Sequence, residues 1–218
     1  MITLNGYNLP DLALIEYAKS ASKDKINHPD SEFRYMVFKP SRTTVVLGQS
    51  NTIEKSVNVQ RCFEDNVEVM KRPSGGEAVL ISPHTLIISF CILDSKLPRS
   101  SDIFSFALGC ILTALAANGV TNAEFRGISD IAIEGKKILG CAIYRRPGMV
   151  LYHGVLNVSE SPQNIGYYLL HPTKEPDYRV HRNHESFVTS LFQEGYHINM
   201  DILKQSIQSA LAETYTYY

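Results

Sequence analysis

The residues of this sequence that are best suited to chemistry lie in two glycine-containing segments, each of which carries cationic side chains. The first segment, residues 71–80, reads KRPSGGEAVL and places Arg72 close to Gly75 and Gly76. Adjacent glycines let backbone N–H groups approach an anion closely, and an arginine is a forked donor that matches phosphate or carboxylate. The same residues also make a good β-turn, so this segment alone leaves anion binding and a plain turn both open.

The second segment, residues 135–158, reads GKKILGCAIYRRPGMVLYHGVLNV and is predicted to form a strand, a turn at residues 140–142 and a second strand. Lys137 could hold a phosphate and stabilise the negative charge that grows during attack on an acyl group. Lys136 would point to the opposite face of a strand, so only one of the two lysines should reach a site. A solvent-exposed turn lysine is the alternative interpretation.

Two further side chains of the second segment are candidates for chemistry. His153 lies in an apolar strand, where a histidine more often packs than catalyses. Cys141 is the one cysteine in a setting that suits a reactive thiol, because it stands beside glycine and alanine at the predicted turn. The other three lie in apolar runs or on a predicted helix (Cys62, Cys91 and Cys110), and no CxxC pair supports a zinc or thioredoxin-type site.

The composition is that of an ordinary globular protein. The 218 residues carry 21 basic and 22 acidic side chains, so the net charge of -1 gives no electrostatic reason to expect a nucleic-acid partner. The N-terminus lacks the pattern of a signal peptide, and the longest apolar run, residues 86–93, is too short to span a bilayer. We therefore expect a cytoplasmic protein without a membrane partner.

Hydrophobic periodicity predicts the elements that would position these residues. A hairpin is predicted at residues 33–39 and 43–47, and further strands at 67–71, 85–93, 123–126 and 131–134. Helices are predicted at 57–65, 103–117, 162–170, 185–193 and 200–214. Strands come in adjacent hairpins with helices between the groups, which predicts an α+β fold of mixed or antiparallel sheets flanked by helices, in one domain over residues 1–218.

Four motifs, taken together and in order, resemble the lipoate–protein ligase A family, within the wider group that includes biotin–protein ligases and octanoyltransferases. They are VVLGQSN (45–51), KRPSGGEAV (71–79), SDIAIEGKKILGCA (129–142) and YHGVLNV (152–158). The family counterparts are a glycine–asparagine segment, an RRxSGGGAV motif, an Asn-Asp strand followed by G(R/K)KIxGxA, and an HHGxL motif. The resemblance covers roughly residues 1–195.

The resemblance implies a catalytic domain with a bifurcated pocket that holds an acyl chain and an adenylate. It implies a ligase that makes lipoyl-AMP or octanoyl-AMP from ATP with Mg²⁺. The acyl group would then pass to a lysine of a lipoyl carrier domain, of the 2-oxoacid dehydrogenase E2 type or the glycine cleavage H protein type. We predict no metal-ligating side chains in the protein itself.

The family's functional residues carry over to specific positions. Lys137 would be the central residue, bridging the phosphate and the acyl carbonyl. The acyl-side residues implied by the resemblance are Arg72, Ser74, Gly75, Gly76, Gly140, Ala142, His153 and Gly154. The nucleotide-side residues implied are Ala78, Val79 and Asp130, together with Lys137.

The sequence departs from the family pattern at several positions. Glu77 replaces the third glycine of its motif, which puts a carboxylate beside a pocket expected to hold anions. Ser129 stands for the asparagine before Asp130, and Tyr152 stands for the first histidine of the last motif. Ligases often carry a C-terminal accessory domain, which we do not expect within this chain, so a separate accessory subunit is one possibility.

Two alternatives remain open. An ATP-independent octanoyltransferase would take octanoate from acyl carrier protein through a cysteine thioester, with Cys141 as the only candidate nucleophile. The family cysteines of such enzymes would fall near residues 121–127 or 171–173, where this chain has none. The other alternative is a non-catalytic protein that binds lipoate or an adenylate.

Overall fold

The computed structural model of the chain describes residues 2–24, 32–94 and 96–215. Its strands are β1 (Leu4–Gly6), β2 (Glu32–Phe38), β3 (Thr44–Leu47), β4 (Glu68–Lys71), β5 (Val79–Ile81), β6 (Thr85–Leu93), β7 (Ala123–Arg126), β8 (Asp130–Ile133), β9 (Lys136–Arg146) and β10 (Met149–Asn157). Its helices are α1 (Leu12–Asp24), α2 (Ile53–Ser56), α3 (Val59–Glu64), α4 (Ser100–Ala117), α5 (Pro162–Tyr168), α6 (His184–Phe187) and α7 (Met200–Tyr215), with a 3-10 turn at Asp177–Arg179.

The strands form two sheets. The larger sheet has the order β2-β6-β10-β9-β8-β7, and all of its neighbouring strands are antiparallel. The smaller sheet has the order β1-β4-β3-β5 and is mixed, because β4 is parallel to both of its neighbours while β5 is antiparallel to β3. The predicted α+β fold of mixed and antiparallel sheets flanked by helices is confirmed.

The interior strand β6 shows that the larger sheet is covered on both faces. All nine of its residues are buried. Leu86, Ile88 and Phe90 alternate into the core that contains α4 and α7, whereas Ile87 faces residues of the smaller sheet. The sequence of a strand that is covered on both faces is a nearly continuous apolar run and does not alternate with polar residues. Residues 85–93 have this pattern.

Helix α4 supplies much of the main core. By length and composition alone it could cross a membrane, but its apolar residues pack in the core, including Ile103, Phe106 and Ile111, so packing accounts for its composition. The helix ends as predicted, because Gly119 takes the left-handed conformation at φ 86 and its N–H bonds back to the carbonyl of Ala116.

The predicted hairpin of residues 33–39 and 43–47 is wrong. Both segments are strands, but β2 pairs with β6 in the larger sheet while β3 pairs with β4 and β5 in the smaller one. Every residue of β3 is buried, so this strand needs neighbours on both sides, and β4 and β5 provide them. The intervening turn therefore carries the chain from one sheet to the other.

Two other local predictions are also corrected. Residues 140–142 lie inside the long strand β9, and the hairpin to β10 turns instead at the Pro147–Gly148 step, where Gly148 has φ 75. The predicted helix at residues 185–193 is reduced to α6, because Val188 takes an extended conformation and pairs with Lys137. The pairing with β9 provides hydrogen-bond partners for backbone groups that a longer helix would have paired within itself.

Candidate active site

A cavity of about 740 Å³ lies between the two sheets. One part of its wall is apolar and is built from residues of both sheets, among them Val46, Ile81, Ile87 and Val155. The other part is polar and includes Asp130, Lys137 and the loop that follows α5. Such a cavity can bury an apolar chain at one end and hold a charged group at the other.

Lys137 is the cation at the polar part of the cavity. Its Nζ lies 2.8 Å from Oδ1 of Asp130, and the two side chains are 29% and 7% exposed. Lys136 points away from the cavity and pairs with Glu194 at 3.1 Å. Only one of the two adjacent lysines reaches the site, as strand alternation predicted.

A β-bulge places Lys137 over Gly140. The two residues are three positions apart and would face opposite sides of a regular strand. The pairing of β8 with β9 shifts by one residue, which leaves Ile138 as the extra residue and puts Lys137 on the same face as Gly140 and Asp130. A Cβ atom at position 140 would lie 2.5 Å from both Cε and Nζ of Lys137, so the lysine occupies space that only glycine leaves free.

Arg72 organises the glycine-rich loop instead of offering its donors to the cavity. Its Nε donates to Ser74 Oγ at 3.0 Å and its Nη1 to the carbonyl of Val46 at 3.0 Å. Its Nη2 donates to the carbonyls of Gly75 and Glu77, at 2.7 and 2.9 Å. Burial lowers the pKa of Arg72 to about 10, so the guanidinium is still charged at pH 7. Arg72 lines the cavity, but the loop itself uses its three nitrogens.

His153 is a buried neutral side chain on the cavity wall. Its Nε2 shares a hydrogen bond with Ser74 Oγ, which in turn accepts from Arg72. Burial, with the nearby Arg72 cation, lowers the pKa of His153 to about 3, so the imidazole carries no charge at neutral pH. The three side chains form one chain of hydrogen bonds that joins the glycine-rich loop to β10.

Glu77 spans two loops at the cavity. Its Oε2 accepts from Asn51 Nδ2 at 3.1 Å, and its Oε1 accepts from Thr173 Oγ1 and from the backbone N–H of Lys174, at 3.1 and 3.0 Å. The carboxylate that replaces the third motif glycine is therefore satisfied by neutral donors. It ties the glycine-rich loop to the loop that follows α5.

Cys141 is placed poorly for nucleophilic attack. Its thiol donates to the carbonyl of Ser129 at 3.0 Å, and burial raises its pKa to about 12. A thiol with so high a pKa is almost entirely protonated at neutral pH, and the thiolate is the reactive form.

The cavity brings together most of the residues predicted for the site. Those that line it are Arg72, Gly76, Ala78, Val79, Asp130, Lys137, Gly140, Cys141, Ala142 and His153. The predicted residues outside its lining are Ser74, Gly75 and Gly154. A side chain at position 154 would meet the hydroxyl of Tyr152 at 2.8 Å, so glycine there serves the packing of β10.

Several residues between positions 172 and 188 also line the cavity, and no site residue was predicted among them. Tyr178 Oη donates to Asp130 Oδ2 at 2.8 Å, and its ring packs on Phe187 at a centroid distance of 5.1 Å. Arg179 is buried in the same wall and forms an ion pair with Glu175 at 3.4 Å. Residues 176–188, PDYRVHRNHESFV, are rich in charged and aromatic side chains, which could have indicated a functional segment. The sequence of this segment does not show which β-strand it packs against.

The described residues hold no group of three or more His, Cys, Asp or Glu side chains that could bind a metal ion. Asp130 is the carboxylate nearest to Lys137, and its two oxygens are engaged by Lys137 and Tyr178.

The fold and this cavity define an α+β domain in which a lysine lies in the polar part of a cavity whose remaining wall is apolar. The chain belongs to the lipoyl protein ligase A/B catalytic domain family, whose sequence model matches residues 15–212. The family expected from the motifs is confirmed.

Individual relatives agree with this assignment. Lipoate-protein ligase LplJ of Bacillus subtilis is 31% identical over 161 residues, which are 72% of this chain and 45% of that protein. This chain thus spans about half the length of the curated relatives it matches.

Solved structures share the fold. A bi-partite lipoate protein ligase from Thermoplasma acidophilum, studied with its E2 lipoyl domain, superposes with a TM-score of 0.72 at 16% identity, over 98% of this chain and 82% of that one. A lipoate-protein ligase A bound with ATP superposes with a TM-score of 0.69 at 18% identity, over 99% of this chain and 84% of that one.

Proposed function

We propose that this chain is a lipoate–protein ligase-type acyltransferase that activates lipoate or octanoate as acyl-AMP and transfers the acyl group to a lysine of a lipoyl carrier domain. The position of Lys137 carries the proposal. Its side chain is partly exposed on the cavity wall, and its Nζ is held by Asp130 and lies over a glycine, where a ligand can approach closely. Membership of the family and the ATP in a solved relative support the same activity.

The cavity suits both halves of such a substrate. The apolar wall between the sheets would hold the acyl chain away from water, and the polar part would hold the nucleotide. Mg²⁺ is usually bound through the phosphates with only one or two protein carboxylates, which is compatible with the absence of a three-residue metal cluster among the described residues.

Lys137 would act in both chemical steps. In the first, a carboxylate oxygen of the acid attacks the α-phosphorus of ATP and pyrophosphate leaves. In the second, the carrier lysine attacks the acyl carbonyl carbon, and the bond from that carbon to the AMP oxygen breaks. Negative charge grows at the phosphate and then at the carbonyl oxygen, and an ammonium fixed beside both stabilises it.

The partners are part of the proposal. A carrier domain of the E2 type is supported by the E2 lipoyl domain studied with the Thermoplasma acidophilum ligase. A carrier of the glycine cleavage H protein type, a separate accessory subunit and a cytoplasmic location stay predictions from the sequence.

A carrier-acylation assay with mass-spectrometric readout tests the proposed function. One arm supplies lipoate with Mg·ATP, a second supplies octanoyl acyl carrier protein without ATP, and a third supplies synthetic lipoyl-AMP. Product in the ATP arm supports the complete ligase, and product only from lipoyl-AMP supports a transfer domain that needs an accessory subunit. Product only from the carrier thioester, or no product in any arm, would overturn the proposal.

Exchange of Cys141 for serine is expected to leave carrier acylation within about twofold of the wild-type rate, because a thiol with so high a pKa is not the nucleophile. Intact-mass spectrometry of the wild type with octanoyl carrier protein should show no acyl adduct. An adduct that disappears in Cys141→Ser would instead establish the octanoyltransferase alternative.

Gly140→Ala is expected to lower the acylation rate about a hundredfold, because a displacement of about 1 Å at a reacting group can cost that much. The added Cβ would meet the flexible end of Lys137 rather than backbone, so the lysine should move while the melting temperature stays near that of the wild type. Gly109→Ala is the matched control, since a Cβ added on that exposed face of α4 meets no atom within 4 Å beyond its neighbours and the backbone of its own helix. Full activity in Gly140→Ala would contradict the site geometry.

A further inference from the structure

The loop of residues 171–182 covers the polar part of the cavity and is fastened at several points. At one end, Glu77 accepts hydrogen bonds from Thr173 and Lys174. At the other, Arg182 Nη2 donates to the carbonyl of Gly135 at 2.9 Å. Between these points, the 3-10 turn Asp177–Arg179 presents Tyr178 to β8.

Tyr178 contacts the site through one carboxylate. Asp130 uses its two oxygens separately, since Oδ1 lies 2.8 Å from Nζ of Lys137 and Oδ2 accepts from the Tyr178 hydroxyl at 2.8 Å. The carboxylate is almost fully buried, so water cannot readily replace either partner. Without the tyrosine hydroxyl, its orientation would depend on a flexible lysine side chain.

The tyrosine ring is itself fixed. It packs against Phe187, and it lies beside Gly127, where an added Cβ would be 3.6 Å from Cε1 of the ring. Burial and the neighbouring Asp130 raise the pKa of Tyr178, so the phenol stays protonated and acts as the donor. The order of contacts therefore runs from the covering loop through Tyr178 and Asp130 to Lys137.

We propose that Tyr178 is a positioning residue that acts through Asp130 to hold Nζ of Lys137 in place. The inference rests on the proposed function for the step that Lys137 performs. The link from loop to lysine rests on the contacts alone.

Tyr178→Phe tests the inference, because it keeps the packed ring and removes only the hydroxyl. We expect kcat for carrier acylation to fall about tenfold, the effect of losing one hydrogen bond to a charged group, with little change in KM for lipoate. Tyr168→Phe is the matched control, since Tyr168 Oη donates to Asp65 at 2.9 Å outside the cavity lining. Wild-type kcat in Tyr178→Phe would overturn the proposal.

A double-mutant cycle tests whether the tyrosine acts through the carboxylate. In an Asp130→Ala background, Tyr178→Phe should cost nothing further in kcat, because the acceptor of its hydrogen bond is already gone. A second loss of about tenfold in that background would show that Tyr178 acts independently of Asp130 and would overturn the proposed link.

A readout that needs no activity separates this inference from the proposed function. In protein labelled with ¹³C at lysine Cε, a rigidly held Lys137 should give two distinct Hε signals, assigned by their loss in Lys137→Arg. Tyr178→Phe should merge them, and Tyr168→Phe should not. Merging in a protein without carrier acylation would uphold the positioning while the proposed function fails. Signals that stay distinct in Tyr178→Phe would overturn the positioning itself.

Discussion

Replacing Lys137 by alanine is expected to lower carrier acylation by about a thousandfold or more, the upper end of what removal of one transition-state stabilising donor costs. Nζ of Lys137 is the cation held on the cavity wall by Asp130, and no side chain at Gly140 separates it from a ligand. The loss should appear both in the ATP-dependent reaction and in transfer from synthetic lipoyl-AMP, because charge develops beside the lysine in both steps.

The neighbouring lysine is the control for that prediction. Lys136 has the same charge and length one position earlier, but it pairs with Glu194 on the other face of β9. Lys136→Ala should keep acylation within about twofold, since surface ion pairs contribute little. Both variants should unfold at temperatures close to that of the wild type. Near-normal activity in Lys137→Ala would end its assignment as the central residue.

Replacing Arg72 by alanine is expected to destabilise the protein by about 3–5 kcal/mol, the cost of breaking a buried charged hydrogen-bond network. The buried guanidinium donates to three backbone carbonyls, those of Val46, Gly75 and Glu77, and to the hydroxyl of Ser74. Its removal takes away the donor that those three carbonyls share, while Ser74 Oγ keeps its hydrogen bond with His153. Urea denaturation measured by circular dichroism would give the change in unfolding free energy.

Arg145→Ala provides the matched comparison for that loss. Arg145 also donates to carbonyls, those of Leu97 and Pro98, but it is exposed, so water can replace it. We expect its replacement to change the unfolding free energy by less than about 0.5 kcal/mol. If the two variants were equally stable, Arg72 would be a ligand-binding residue and not the organiser of its loop.

Arg72 also shows what a sequence motif can predict about a residue and what it cannot. The motif KRPSGGEAV identified Arg72 as a residue near a ligand, and the structure does place it on the cavity wall. The motif could not show that its donors are already used by the loop, because that depends on where the carbonyl of Val46 lies, 26 positions earlier in the chain.

Local patterns predicted elements well where the signal was strong. The strand at 85–93 is confirmed as β6, and the helix at 103–117 falls within α4, because long apolar runs and a clear glycine stop are local features. The hairpin at 33–39 and 43–47 failed because pairing partners are chosen by the whole fold. Both segments prefer extended structure, but their own sequence cannot specify which sheet each one joins.

The family, the fold class and the cavity-lining residues of the glycine-rich loop and of β8 to β10 could be predicted from local motifs. Their order in four motifs identified Lys137, Asp130 and Gly140 before any contact was known. The contacts that occupy each side chain depend on the folded structure. The hydrogen bond of Tyr178 to Asp130 spans 48 positions and that of Ser74 to His153 spans 79, so no local pattern encodes them. Burial is likewise not encoded locally. Segments that are distant in the sequence pack around Cys141 and His153, and the resulting desolvation raises the pKa of Cys141 and lowers the pKa of His153.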